Sequence, residues 1–229
     1  MTLYLSKLQI ARDPQVAALG ALLDPNEGGA KMDAHHRLIW SAFAGDPDAK
    51  RDFLWRADGN GRFLVLSHRP PQPTPFFDPP QTKEFAPDLR AGDRLGFVLR
   101  VNATRTEKTG ERTASGKERK RHIDLVMDAL PPKGPDRADR RMEIAGQVAR
   151  TWLDGQGSRR GFAPDQLTVE DYAVQRFAKG RGQRPVTFGV LDLSGQLRVT
   201  DPAAFLTTLS QGLGRAKAFG CGLMLIRRA

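Results

Sequence analysis

Apolar and polar positions alternate along this chain with two periods, and the changes of period predict its elements. Leu3, Leu5, Leu8 and Ile10 recur loosely at strand spacing and predict a first strand over residues 3–11. A Pro, Asn and Gly patch at 25–29 breaks the chain. Leu38, Ile39, Ala42 and Phe43 then share one face of a helix predicted over 33–43. Residues 53–56 and 63–67 flank Asp58-Gly59-Asn60-Gly61, a hairpin signal. A proline-rich loop follows at 70–80, and another strand at 95–101. Ile144, Val148 and Trp152 mark a helix over 140–153, and strands are expected at 167–177, 185–191 and 197–199. Asp201-Pro202 starts a last helix, with Asp at the N-cap and Pro at the first helical position. Gly212, Gly214, Gly220 and Gly222 end it, and a short buried strand at 223–226 follows.

The second half therefore reads β-α-β-β-α-β, the split βαβ or ferredoxin-like unit. The first half is a less regular version of the same order. The expected fold is α+β, two tandem ferredoxin-like (βαββαβ) domains with a groove between them. The division predicted is 1–90, carrying the candidate histidines, and 91–229, carrying the basic segments and the glycine-rich tail.

Charge narrows the function classes. Lysine and arginine number 36 against 26 acidic residues, a formal net charge of +10, which points to a polyanionic partner such as nucleic acid. The excess is clustered. Residues 104–121 are polar and basic, with Arg105, Lys117, Arg119, Lys120 and Arg121 leading to His122; the expectation is a mobile arm or a loop that orders on a partner. Arg176, Lys179, Arg181 and Arg184 gather at the tip of the predicted hairpin between the strands at 167–177 and 185–191. Such a ribbon fits the phosphates of an RNA stem, or a hairpin kept soluble by charge. The single cysteine, Cys221, excludes an internal disulfide and a thiolate metal site, and reads as a small packed residue. No segment is long and apolar enough to span a membrane, and the opening residues lack a signal-peptide pattern, so a cytoplasmic location is expected.

Chemistry has few candidates. No HExxH, paired Cys/His set, Walker loop, dinucleotide fingerprint or nucleophile elbow is present, and no carboxylate constellation stands out. Of the four histidines, His35 points to the centre of the apolar helix face and His36 to its flank, beside Ile39, Trp40 and Phe43. A flank histidine facing a cleft can act as general base or acid near neutral pH; the spacing fits a packed or capping histidine equally. RNA cleavage needs no metal, because its 2′-hydroxyl can attack the adjacent phosphate. Lys217, within the glycine-rich tail, fits either a phosphate contact or a solvated turn.

Taken together, these stretches resemble the CasE family, the CRISPR repeat-processing endoribonucleases of type I-E systems. The resemblance spans LYLSKLQIAR at 3–12, HHRLIWSAF at 35–43, RDFLWR at 51–56, LGFVLRVNATR at 95–105, GKERKRHIDLVMDAL at 116–130 and GLGRAKAFGCGLMLI at 212–226. It implies an enzyme that cleaves CRISPR repeat RNA at the base of a stem-loop without a metal or other cofactor. It implies retention of the product stem-loop in the Cascade complex, beside other subunits and especially the backbone subunit. The catalytic histidine implied is His36, followed by Arg37; Lys217 would lie near the RNA backbone, and Arg176 to Arg184 would form the RNA-contacting hairpin. Asp33 stands where family members often carry a tyrosine that aids catalysis, and is read as a catalytic aid or as the helix N-cap. The family's Arg-x-Asn-Pro is here Arg100-Val101-Asn102-Ala103. An inactive stem-loop-binding subunit of the same complex is the alternative.

Overall fold

The computed structural model of the chain describes residues 2–26, 28–45, 50–113, 115–131, 134, 137–138, 140–177 and 186–229. Four strands form a first antiparallel sheet: β1 (Tyr4–Gln9), β2 (Phe53–Ala57), β3 (Arg62–Ser67) and β4 (Gln81–Glu84), in the order β2-β3-β1-β4. Two single-turn helices, α1 (Pro14–Ala17) and α2 (Gly20–Leu23), precede a longer one, α3 (Gly28–Ser41). On β1 the pleat sends Leu8 towards α3, where Leu38, Ile39, Ala42 and Phe43 close a core with Trp55, Phe63 and Val65. Strands 4-1-3-2 adjacent in this order are the ferredoxin-like arrangement, lacking its second helix. Residues 68–80 take that place as irregular chain, pinned by Gln72 N–H donating to the Ala42 carbonyl at 2.8 Å and by Arg69 paired with Asp52 at 2.8 Å.

The second sheet repeats the order with both helices. Its strands are β5 (Arg94–Val101), β8 (Phe162–Phe177), β9 (Val186–Val199) and β10 (Met224–Arg228), arranged β10-β5-β9-β8. Helices α5 (Arg141–Arg160) and α6 (Pro202–Gln211) cover one face. Trp152, Leu153, Phe205 and Leu209 meet Leu95, Leu99, Leu191 and Leu197 of the sheet in the larger of the two cores. Asp201 caps α6, accepting from the Ala204 N–H at 3.0 Å, with Pro202 opening the helix as expected.

Several elements differ from the sequence expectation. The long helix continues to Arg160, because Gly157 lets it press against the Phe162 backbone, a close approach no side chain would allow. The strands expected at 185–191 and 197–199 are one strand, β9, which passes through Ser194-Gly195, paired with Thr168 and Leu167 between two register shifts in β8. Residues 104–121, expected as a mobile arm, form a paired ribbon, β6 (Thr104–Arg112) with β7 (Glu118–Asp124), leading into α4 (Leu125–Ala129). Ion pairs across the ribbon, Lys108–Glu118 at 3.3 Å and Arg119–Glu111 at 3.0 Å, replace the apolar face that would have betrayed it.

The two sheets meet through Leu3, Leu54 and Leu66 of the first and Leu223 and Leu225 of the tail strand. Asp192 of β9 bridges them electrostatically, held by Arg100 of β5 at 2.6 Å and reached by Arg56 of β2 at 3.5 Å. Cys221 is fully buried beside this triad, and burial pushes its thiol up to about 12. No helix among the described residues is long and apolar enough to cross a membrane.

Candidate functional site

The adjacent histidines of α3 part company because successive helical residues are rotated by about 100°. His35 turns inward and is 4% exposed. Its ring meets the edges of Phe63, 4.7 Å between centroids, and Trp55, 6.2 Å. Its Nε2 bonds Asp24 Oδ1 at 2.9 Å, and Lys31 holds the same carboxylate oxygen at 2.8 Å. This is a satisfied core histidine.

His36 turns towards the glycine-rich tail. Its ring lies 6.4 Å from Trp40 and 6.1 Å from Phe219, which ends a 3-10 turn, Lys217–Phe219. It is half-buried, and its Nδ1 has no partner among the described residues. Burial holds the imidazole below its ordinary pKa, the nearby Arg51 guanidinium pushes it further down, and Asp33 and the Ala218 backbone oppose both. The imidazole is therefore neutral at pH 7, the form that accepts a proton.

Lys217 enters the same space from the tail. It is half-buried, and burial, Arg160 and Arg51 all hold its ammonium below the ordinary lysine value. The four glycines around it have positive φ. Gly222 shows why: a Cβ there would stand 2.7 Å from the Leu213 carbonyl and 3.1 Å from Lys217 Cγ. Several N–H groups of the tail are held within the fold: Gly212 donates to Thr208, Leu213 to Gly222, Arg215 to Asn102, Phe219 to Ala216 and Gly222 to Arg100. These bonds make the motif a bracket that fixes the position of its lysine.

Asp33 corrects one expectation. The helix begins at Gly28, so Asp33 sits inside it and is not its N-cap. Its carboxylate pairs with Arg37 at 3.1 Å, one turn on, with both side chains mostly exposed. Its influence on His36 is through charge.

The other basic candidates fall in two places. Along the β6–β7 ribbon, cross-strand pairing puts Lys108 opposite Lys120 and Thr106 opposite His122 on one face. His122 Nδ1 shares a 3.0 Å hydrogen bond with Thr106 Oγ1. Slight burial, Arg215 and Lys120 hold the His122 ring below its ordinary pKa, which places Arg215 of the tail near this face. On the other face Arg105 is engaged by Glu107 at 2.7 Å and by Asp128 of α4 at 2.9 Å, and Arg121 lies beside them. Arg119 is held by Glu111. Lys117, Lys120 and Arg121 are exposed and form no ion pair among the described residues. At the second place, Arg176 is exposed near the end of β8 opposite Thr187. Lys179, Arg181 and Arg184 lie outside the described residues.

Sequence reading missed Arg51, Arg160 and Arg215. Arg51 stood within the RDFLWR stretch, but nothing in one dimension joins the entry of β2 to a histidine fifteen positions earlier and a tail lysine. Among the described residues no three His, Cys, Asp or Glu side chains gather as a metal site would require.

Two ferredoxin-like sheets, a neutral histidine at their seam and a cationic surface define a class: tandem ferredoxin-like proteins built to meet a polyanion. The chain belongs to the CRISPR associated protein family, whose model matches residues 3–228. It is 24% identical over 196 residues to the CRISPR system Cascade subunit CasE of Escherichia coli K12, covering 82% of this chain and 88% of that protein. The fold matches Thermus thermophilus Cse3 bound to an RNA representing a pre-cleavage complex, with a TM-score of 0.66, 22% identity and 99% and 100% of the two chains covered. It also matches the CRISPR-associated protein Cas6e of Escherichia coli K-12, with a TM-score of 0.61, 22% identity and the same coverage.

Proposed function

We propose that this protein is an endoribonuclease that cleaves CRISPR precursor RNA within its repeats, at the base of a stem-loop, and keeps the product stem-loop within a Cascade complex in the cytoplasm. The observation that carries the reading is the half-buried His36, its Nδ1 unpartnered among the described residues, packed against the turn that carries Lys217. His36 takes the proton of the 2′-hydroxyl as general base, and the oxygen attacks the adjacent phosphorus. The bond to the 5′-oxygen breaks, that oxygen gains a proton, and the products are a 2′,3′-cyclic phosphate and a 5′-hydroxyl. The cations offset the charge on the phosphate, so the step needs no metal. The relatives named as a Cascade subunit and as an RNA-bound Cse3 support this substrate and this assembly. Residues 1–90 supply the histidine and 91–229 the grip on RNA.

A second reading, a stem-loop-binding subunit without activity, is favoured by one observation. Asp33 is committed to Arg37, so its carboxylate is not free to pass a proton beside His36. A single experiment separates the two. Repeat RNA is incubated in EDTA with wild type and His36→Ala. Cleavage by the wild type, lowered about 10²- to 10⁴-fold in the variant with binding retained, supports the enzyme. Binding without cleavage by either protein supports the second reading, and normal cleavage by His36→Ala removes His36 from the chemistry.

A further inference from the structure

The seam that holds His36 has a surplus of positive charge. Arg51 sits at the entry of β2, and Phe53, two residues on, packs under α3 with its ring 5.1 Å from Trp40 and 4.6 Å from Phe43. That packing fixes Arg51 next to the helix face that carries His36. Arg51 is half-buried, and its Nε has no hydrogen-bond partner among the described residues. The neighbouring carboxylate, Asp52, is taken by Arg69 at 2.8 Å. Other arginines of similar burial are paired: Arg100 and Arg56 share Asp192. Arg51 and Lys217 form no ion pair among the described residues. Arg160, the third cation of the group, places its Nε on the neutral Gln156 at 2.9 Å.

A guanidinium cannot shed its proton to relieve burial. Half-buried and without an ion pair among the described residues, Arg51 is therefore a site suited to an anion. Its planar fork matches two oxygens of one phosphate, whereas Lys217 supplies a point charge from the opposite element. When a 2′-oxygen attacks, a second negative charge develops on the phosphorus oxygens. A fixed cation is worth most at that moment.

We propose that Arg51 is a catalytic residue, gripping the scissile phosphate beside His36 and neutralising the charge that builds on its non-bridging oxygens. The inference rests on the endoribonuclease reading above and adds to it a residue on the other side of the reacting phosphate.

The test compares wild type, Arg51→Ala, Arg51→Lys and His36→Ala on repeat RNA under single-turnover conditions. Equilibrium RNA binding and thermal melting are measured on each protein. For Arg51→Ala the cleavage rate at saturating protein is expected to fall about 10²-fold, with RNA affinity within about threefold of wild type. Arg51→Lys is expected to recover part of the rate, since it keeps charge but not the fork. A pH profile adds a readout that a structural role would not move. The groups acting on the His36 ring are Arg51, Asp33, Arg37 and the Ala218 backbone, with Lys217 on the facing turn. Removing Arg51 takes away a cation that opposes protonation, so the rising limb of the rate profile shifts to higher pH. Cleavage by Arg51→Ala within threefold of wild type, while His36→Ala is inactive, overturns the inference and leaves the function standing. Equal losses of binding and cleavage overturn it too, because Arg51 then only holds RNA or the fold. Full activity of His36→Ala would overturn the function and the inference together.

Discussion

Two neighbouring histidines with opposite duties show what a single residue can decide here. His35 is enclosed by Phe63, Trp55 and Asp24, and burial holds its ring below the ordinary value despite the carboxylate. In the unfolded chain the same ring titrates near pH 6.5. The folded state thus binds fewer protons in the window below pH 6.5, and stability present above that pH is lost as pH falls towards the folded value. His36 and His122 shift in the same direction and add to the slope. His35→Gln keeps a donor for Asp24 and cannot titrate. Its melting temperature is expected to drop less than that of wild type between pH 7.5 and pH 5.5, by circular dichroism. An unchanged drop would mean that His35 does not contribute to acid sensitivity. Periodicity already separated the two rings, centre against flank, because helix geometry is written in the spacing of Leu38, Ile39, Ala42 and Phe43. It carried no sign of Arg51, whose place depends on β2 folding back under α3.

At the scale of elements, the glycine-rich tail is legible as a helix stop and a turn, and its deeper purpose is not. Amides of Leu213, Arg215, Phe219 and Gly222 tie it to itself and to residues 100–102, and these ties fix the position of Lys217. Gly222→Ala would put a methyl 2.7 Å from the Leu213 carbonyl and 3.1 Å from Lys217 Cγ, at φ +93°. Left-handed strain and overpacking together predict a loss of about 2–4 kcal/mol in urea unfolding. Cleavage should fall further than that loss explains, because the displaced group is Lys217. Stability within about 0.5 kcal/mol of wild type would show that the tail yields more easily than its packing implies. The β6–β7 ribbon was illegible for a different reason. Its alternation is of charge against charge, with Lys108 facing Lys120 and Glu107 facing Arg121, so no apolar stripe marks either face. The last turns of α5 were hidden by Gly155, Gly157 and Ser158, which read as breakers until Phe162 is seen against Gly157.

For the whole molecule the question is what keeps two separate sheets in one register, since His36 and Lys217 belong to different ones. Apolar contact across the seam comes from Leu54 and Leu66 against Leu223 and Leu225, and from Met32 of α3 against Phe188 and Val190 of β9. Asp192 adds direction: Arg100 grips it through two nitrogens at 2.6–3.2 Å from within the second sheet, and Arg56 reaches it at 3.5 Å from the first. Arg100 is held above the ordinary arginine value: burial would lower it, but Asp192 more than compensates. Arg56 is pushed below it by burial, with Asp192 in partial opposition. Asp192→Asn keeps the shape and removes the charge, leaving two partly buried guanidinium groups facing each other. Breaking a buried pair from one side costs about 3–5 kcal/mol, and the water that reaches Arg100 reduces this to roughly 2–3 kcal/mol here. None of the triad's hydrogen bonds or ion pairs involves His36, so a merely local role would lower stability and leave chemistry intact. If it sets the angle between the sheets, single-turnover cleavage by the folded variant falls about tenfold or more, since a displacement of about 1 Å at a reacting centre can cost 10²-fold. RNA affinity, which the proposed reading assigns to the second unit, is expected to stay close to wild type. A folded Asp192→Asn protein that cleaves at the wild-type rate would assign the register of the sheets to the apolar seam.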